Sequence, residues 1–324
     1  MGEALEIVKA LVSPVEKLLE IAKSGVGTLY EPRRIRKRAE AKVYEINEIS
    51  EALRNNSDII LSYGDGTVLA STPELEEFAK RTKHRLAYQE LRKQANIEAV
   101  VDNAYDELEQ EREVSTDPVD TDWTLRFFNC VEDISNEKMQ LLWGKLLAGE
   151  TKQPGRFSLR TLETLKSLSQ KEAQIFRVIC AYTIIHENAF NLPTHGELFA
   201  DTPIDYADIM TLGEAGLLNF QDVNYHFRIS PLNCEAVTIG NVQITLNNAS
   251  DRQITLNCDV YSLTTAGMEL FDIVNNGEDE EKQDVDFINA YAVAWIVETL
   301  KDNGIEEGKY SISRDGRQFS IYIQ

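Results

Sequence analysis

Four histidines, four cysteines and a surplus of carboxylates are the groups in this 324-residue chain that could hold a metal or move protons. The histidines are His84, His186, His195 and His226. No two of them stand four residues apart, so the imidazole pair that one helical turn offers to zinc is absent. Asp201, Asp205 and Asp208 fall close in sequence to His186 and His195, yet their spacing reads as ordinary loop chemistry. Cys130, Cys180, Cys234 and Cys258 lie 50, 54 and 24 residues apart, which matches no zinc pattern. Cys130 follows Phe127-Phe128-Asn129 and Cys180 follows Val178-Ile179. All four cysteines are therefore expected to be buried, unpaired thiols of a reducing cytoplasm. Gly64-Asp65-Gly66-Thr67 has the composition of a phosphate-binding turn, but no GKT or GxGxxG follows it. Glu278-Asp279-Glu280-Glu281 lacks the glycine and alternating ligands of a calcium loop. No GxSxG occurs, and no nucleophile can be paired with a base. Catalytic residues are unassigned, and no cofactor and no metal are expected.

Charge offers a clearer signal. The formal net charge is −21, which opposes non-specific binding of nucleic acid by the whole surface. Against that background stands a basic cluster, Arg33, Arg34, Arg36, Lys37 and Arg38. Guanidinium groups bind carboxylate and phosphate alike, so the cluster is a candidate contact for a partner or an anion. It follows an amphipathic N-terminal segment, a combination that also suits an anionic membrane surface. A second basic stretch comprises Lys80, Arg81, Lys83, Arg85, Arg92 and Lys93. From residue 186 to the end there are only 7 Lys and Arg against 23 Asp and Glu. The nearest abundant anion for the arginine cluster is therefore another part of this protein, in the same or a neighbouring subunit.

The elements that must carry these groups are mostly helical. Leu5, Val8, Val12, Val15, Leu19 and Ala22 recur at helical spacing, and Ser13-Pro14-Val15-Glu16 reads as a capping box that splits the segment into two short helices. A helix is expected from Pro32 to about Asn55, then a small hairpin or ordered loop over 58–71, then one long helix from 73 to about 113. Residues 114–122 read as a linker. Helices follow over 122–133, 136–148, 159–168 and 170–185, the last opening on the capping box Ser169-Gln170-Lys171-Glu172. A helix over 204–216 precedes a hairpin of Leu217–Gln221 and Tyr225–Ser230, the outline of a winged helix. That helix carries Asp205, Asp208 and Glu214 and no basic residue, so it suits a protein partner rather than DNA. Further strands are expected at 242–246 with 253–258, and at 309–312 with 319–323. Helices are expected at 264–274 and 287–300. The fold class is thus mainly α with a C-terminal α+β region. Its parts are an elongated helical domain over 1–115, a helical bundle over 116–185 and a winged-helix-like interaction domain over 186–324.

Three stretches carry a family likeness. They are Gly25-Val26-Gly27-Thr28-Leu29-Tyr30-Glu31-Pro32-Arg33-Arg34-Ile35-Arg36, Trp143-Gly144-Lys145-Leu146-Leu147-Ala148-Gly149-Glu150, and Ser158 to Leu165 with Leu168-Ser169 and Glu172-Ala173. Together, over about residues 20–185, they resemble an uncharacterised family of bacterial cytoplasmic proteins. Residues 120–185 are also similar to the alpha-type abortive-infection proteins. The resemblance implies a bacterial or phage-defence setting and supplies no catalytic residues. The reading is a non-enzymatic, oligomerising interaction protein of the cytoplasm, a sensor or effector that assembles through residues 1–113. Its rivals are a membrane-surface effector using residues 1–38 and a cryptic hydrolase or nuclease.

Overall fold

The computed structural model describes residues 11–27, 62–63, 66–67, 73–109, 111–194, 202–240, 242–275 and 285–324. The chain divides into two compact units, 1–162 and 163–324, where the sequence reading placed boundaries at 115 and 185.

The described residues of the first unit include the helices α1 (Pro14–Val26), α2 (Pro73–Leu108), α3 (Thr121–Val131) and α4 (Glu137–Lys152). Ser13 precedes α1 but its side chain makes no cap hydrogen bond, so the capping box expected there does not form. The strand β1 (Leu11–Val12) instead pairs with β4 (Val114–Ser115), inside the stretch read as a linker. Lys17 is buried beneath this pair and donates to the Ser115 carbonyl at 2.6 Å. Burial lowers its pKa, while the Asp117 and Glu150 carboxylates act in the opposite sense. The hairpin expected over 58–71 is present as β2 (Ser62–Tyr63) against β3 (Gly66–Thr67). The helix expected over 32–55 lies outside the described residues.

Aromatic side chains fill the core of this unit. Trp123 stacks on Phe127 with ring centroids 5.1 Å apart, and Phe127 meets Trp143 edge-on at 5.5 Å. Gly144 sets how closely α4 approaches α2, because a methyl group there would run into Asn103 and the backbone of Ala104. At the end of α4 the buried Glu150 carboxylate accepts from the Gly155 and Phe157 N–H groups at 2.6 and 3.0 Å, which closes the following turn.

The helix α5 (Leu159–Ser167) carries the boundary between the units. The second unit then alternates α6 (Gln170–Tyr182), β5 (Ile184–His186), β6 (Ala189–Pro193), α7 (Tyr206–Glu214), β7 (Leu218–Ile229), β8 (Cys234–Ile239), β9 (Val242–Asn248) and β10 (Ile254–Leu263). It ends with α8 (Thr265–Asn275), α9 (Val285–Asp302), β11 (Tyr310–Asp315) and β12 (Gln318–Ile323). The eight strands form one sheet in the order β11-β12-β9-β8-β5-β6-β10-β7. Every neighbouring pair is antiparallel except β9 with β12. Burial alternates along β9 and β12, as it must when one face of a sheet is covered and the other is wet. The helix α9 packs on β9 and β10, and α6 packs on α7, α8 and α9.

This sheet overturns the winged-helix reading. The helix over 206–214 is present, but Leu218–Ile229 is one continuous strand rather than a hairpin. The strands at 242–248 and 254–263 do not pair with each other. Instead β9 lies between β8 and β12, and β10 between β6 and β7. The helix expected to reach residue 185 stops at Tyr182, and β5 begins two residues later. The C-terminal region is therefore a mixed eight-stranded sheet with a helical layer, larger than a winged module. In this unit β11 with β12 forms the hairpin that was expected of it.

Candidate functional site

The arginine cluster Arg33, Arg34, Arg36, Lys37 and Arg38 lies outside the described residues. The second basic stretch lies on α2, and its setting divides that helix in two. From Asn96 onward α2 is anchored: Ile97, Val100, Val101, Ala104 and Leu108 are buried, and Asn96 Nδ2 donates to the Glu132 carbonyl at 2.8 Å. From Glu77 to Ala95 no residue is buried. Phe78 is 60% exposed and Tyr88 54%. Lys93 Nζ meets Glu132 Oε1 at 2.8 Å, and this hydrogen bond raises the lysine pKa. Lys80, Arg81 and Arg85 have no ion-pair partner among the described residues. The outer half of α2 thus offers guanidinium and ammonium groups interleaved with Phe78, Leu86 and Tyr88.

A second constellation lies in the sheet, and no spacing in the sequence announced it. His186, at the end of β5, is buried between two other strands. Its Nδ1 is 2.8 Å from the Tyr225 hydroxyl of β7, and its Nε2 is 3.5 Å from Glu235 Oε2 of β8. Burial pushes the Tyr225 hydroxyl up, helped by Glu187 and Cys258. Tyr225 therefore keeps its proton at neutral pH and is able to serve as the donor in its hydrogen bond with Nδ1. Phe227 and Trp295 close the cluster from within, with His186–Phe227 and Phe227–Trp295 centroids at 4.9 and 5.8 Å. A tyrosine held in its neutral form is a poor nucleophile and a poor base. What the cluster does is tie β7, which pairs with neither strand, to the adjacent pair β5 and β8. The sequence reading placed His186 in a loop beside His195. His195 and Asp201 lie outside the described residues, while Asp205 and Asp208 form the capping box of α7, a structural use of both carboxylates.

Among the described residues no group of three or more His, Cys, Asp or Glu side chains is arranged to hold a metal ion. No helix among them is long and apolar enough to cross a membrane. Cys130, Cys180 and Cys258 are buried, whereas Cys234 is exposed at the start of β8, which corrects the expectation that all four would be buried. Cys234 opens the strand just after the turn at Pro231-Leu232-Asn233, before the alternation of β8 turns inward at Val237. No curated protein and no solved structure matches the chain. Residues 80–285 match one family model, and on that match, which takes in the anchored half of α2 and the strands β4 to β10, the chain belongs to the family described as "Protein of unknown function (DUF2806)".

Proposed function

We propose that this protein is an oligomerising interaction protein that works by contact rather than by catalysis, as a sensor or effector in bacterial anti-phage defence. The observation that carries the reading is the outer half of α2. Nineteen residues, Glu77 to Ala95, stand with none buried, and they present exposed Phe78, Leu86 and Tyr88 beside Lys80, Arg81 and Arg85, which have no ion-pair partner among the described residues. A helix with no buried face gains little from its own fold, and such surfaces are covered in assemblies. The arginine cluster at 33–38 belongs to the same proposal, as a contact for an acidic surface of a neighbouring subunit. The defence setting rests on the similarity of residues 120–185 to the alpha-type abortive-infection proteins.

The test is the mass in solution. The parent is expected to scatter light as an oligomer at tens of micromolar. Charge reversal at Arg81 with Arg85, or at Arg34 with Arg36, is expected to shift it toward the monomer. A parent that is monomeric and pellets with anionic vesicles would replace this reading with that of a membrane-surface effector.

A further inference from the structure

The structure assigns a second self-association surface, independent of α2: the free edge of β11, which we propose pairs antiparallel with the same strand of a second copy about a two-fold axis through Ile312. β11 ends the sheet, and among the described residues only β12 pairs with it. Which of its backbone groups are free follows from the ladder. The Lys309 carbonyl accepts from the Gln324 N–H at 2.9 Å, and on the far side of β12 the Ile323 carbonyl accepts from Ala249 at 2.8 Å. Alternate residues of an antiparallel strand turn both backbone groups to opposite edges. Lys309, Ser311, Ser313 and Asp315 therefore face β12, and the N–H and C=O groups of Tyr310, Ile312 and Arg314 face outward.

This parity fixes the register. Outward-facing residues can exchange hydrogen bonds only with outward-facing residues of the second strand. Just one antiparallel register engages all three: Ile312 opposite Ile312, and Tyr310 opposite Arg314 on both sides. The side chains agree with it. Tyr310, Ile312 and Arg314 lie in register with Ile323, Ile321 and Phe319, all buried, so they extend the covered face of the sheet. Ile312 is nevertheless 38% exposed. Self-pairing sets Ile312 against its mate and each Arg314, whose guanidinium lies over the Phe319 ring at 5.5 Å, opposite a Tyr310 of the second copy. On the opposite face the same register puts Lys309 opposite Asp315 twice, and Ser311 opposite Ser313. The segment Lys309-Tyr310-Ser311-Ile312-Ser313-Arg314-Asp315 is thus complementary to its own reverse, which favours a second copy over an unrelated strand.

Exposed edges are commonly blunted by proline, bulges or awkward charge. The opposite edge of this sheet has such a device, a register break between β7 and β10 at Val260/Ser262. β11 has no such break: its pairing with β12 runs without a shift from Tyr310 to Asp315, and no proline occurs in it.

Cross-linking tests the register directly. In a Cys234→Ser background, which removes the exposed thiol, Ile312→Cys places two cysteines opposite each other with Cα atoms about 5.5 Å apart, within disulfide reach. Ser311→Cys places its mates two positions out of line. Under mild oxidation Ile312→Cys is expected to form the covalent dimer many times faster than Ser311→Cys. Separately, Lys309→Asp or Asp315→Lys alone is expected to slow Ile312→Cys cross-linking about tenfold, and the double exchange to restore it. Equal rates for Ile312→Cys and Ser311→Cys, or a double exchange as slow as the single variants, would overturn the proposal. Charge reversal at Arg81 and Arg85 leaves these rates unchanged, so failure here and failure of the α2 reading are separate results.

Discussion

At the scale of single residues, chemistry in this protein is set by burial more than by neighbouring charge. Cys258 is pushed up to about 12 by desolvation, with Asp259 adding to it, and Cys180 is raised well above its ordinary value by the same cause. A thiol reacts as its thiolate, so both are inert in the folded protein at neutral pH. Cys234 is exposed. Alkylation of the native protein is therefore expected to modify Cys234 rapidly and the other three cysteines only on unfolding, with the sites read by mass spectrometry. Rapid modification of Cys180 or Cys258 in the native state would contradict the packing around them. Local sequence could support burial only where apolar neighbours surround a thiol, as at Cys130 and Cys180. It could not separate Cys258, whose strand alternates inward at that position, from Cys234, which opens a strand after a turn.

Among the elements, helices were legible because their signals are local. Ser169 accepts from the Glu172 N–H at 3.2 Å and Glu172 accepts from the Ser169 N–H at 2.6 Å, the reciprocal box read from the sequence. A side-chain hydrogen bond with Ser169, joined by the Ser169 N–H donated to the carboxylate, holds the Glu172 carboxyl below its ordinary range against a small desolvation. Because the folded value is depressed, the stabilisation is complete above the unfolded value and is lost as pH falls through the folded one. Ser169→Ala is expected to cost about 1 kcal/mol near neutrality, and the gap between variant and parent should narrow below about pH 4. Chemical denaturation at the two pH values measures it; a gap that is unchanged in acid would remove Glu172 from the account. Strands were less legible, since pairing is decided far along the chain. β9 has a clean alternation, but nothing near it says that its parallel neighbour is β12, with Ile244 opposite Phe319. β7 was divided in two because Asp222-Val223-Asn224 resembles a turn, whereas Val223 and Asn224 continue the ladder opposite Val260 and Asp259. The His186 cluster was invisible for the same reason: its members come from three strands, with His186 39 residues from Tyr225 and 49 from Glu235 along the chain.

Across the whole molecule, charge is distributed unevenly between two units that each have their own core. Residues 163–324 hold 25 Asp and Glu against 10 Lys and Arg, a net of −15, while residues 1–162 hold 29 against 23, a net of −6. Crowded like charge destabilises a compact state, and salt relieves it. The screening length falls from about 30 Å at 0.01 M to about 8 Å at 0.15 M, so added sodium chloride acts mainly on repulsion between separated surface groups. The second unit should therefore gain more from salt than the first. The tryptophans allow the two to be followed apart, because Trp123 and Trp143 are buried in the first unit and Trp295 in the second. In a Trp123→Phe, Trp143→Phe variant the fluorescence reports on Trp295 alone, and in Trp295→Phe it reports on the first unit. Each substitution lowers stability by enlarging the core space it leaves, so the quantity to compare is the shift of the urea midpoint with salt rather than the midpoint itself. The Trp295 signal is expected to move to higher urea by clearly more than the Trp123 and Trp143 signal. Equal shifts would mean that the acidic side chains of the second unit are already compensated, by ion pairs within it or by the basic surface of another copy, and a larger shift in the first unit would place the repulsion elsewhere in the chain.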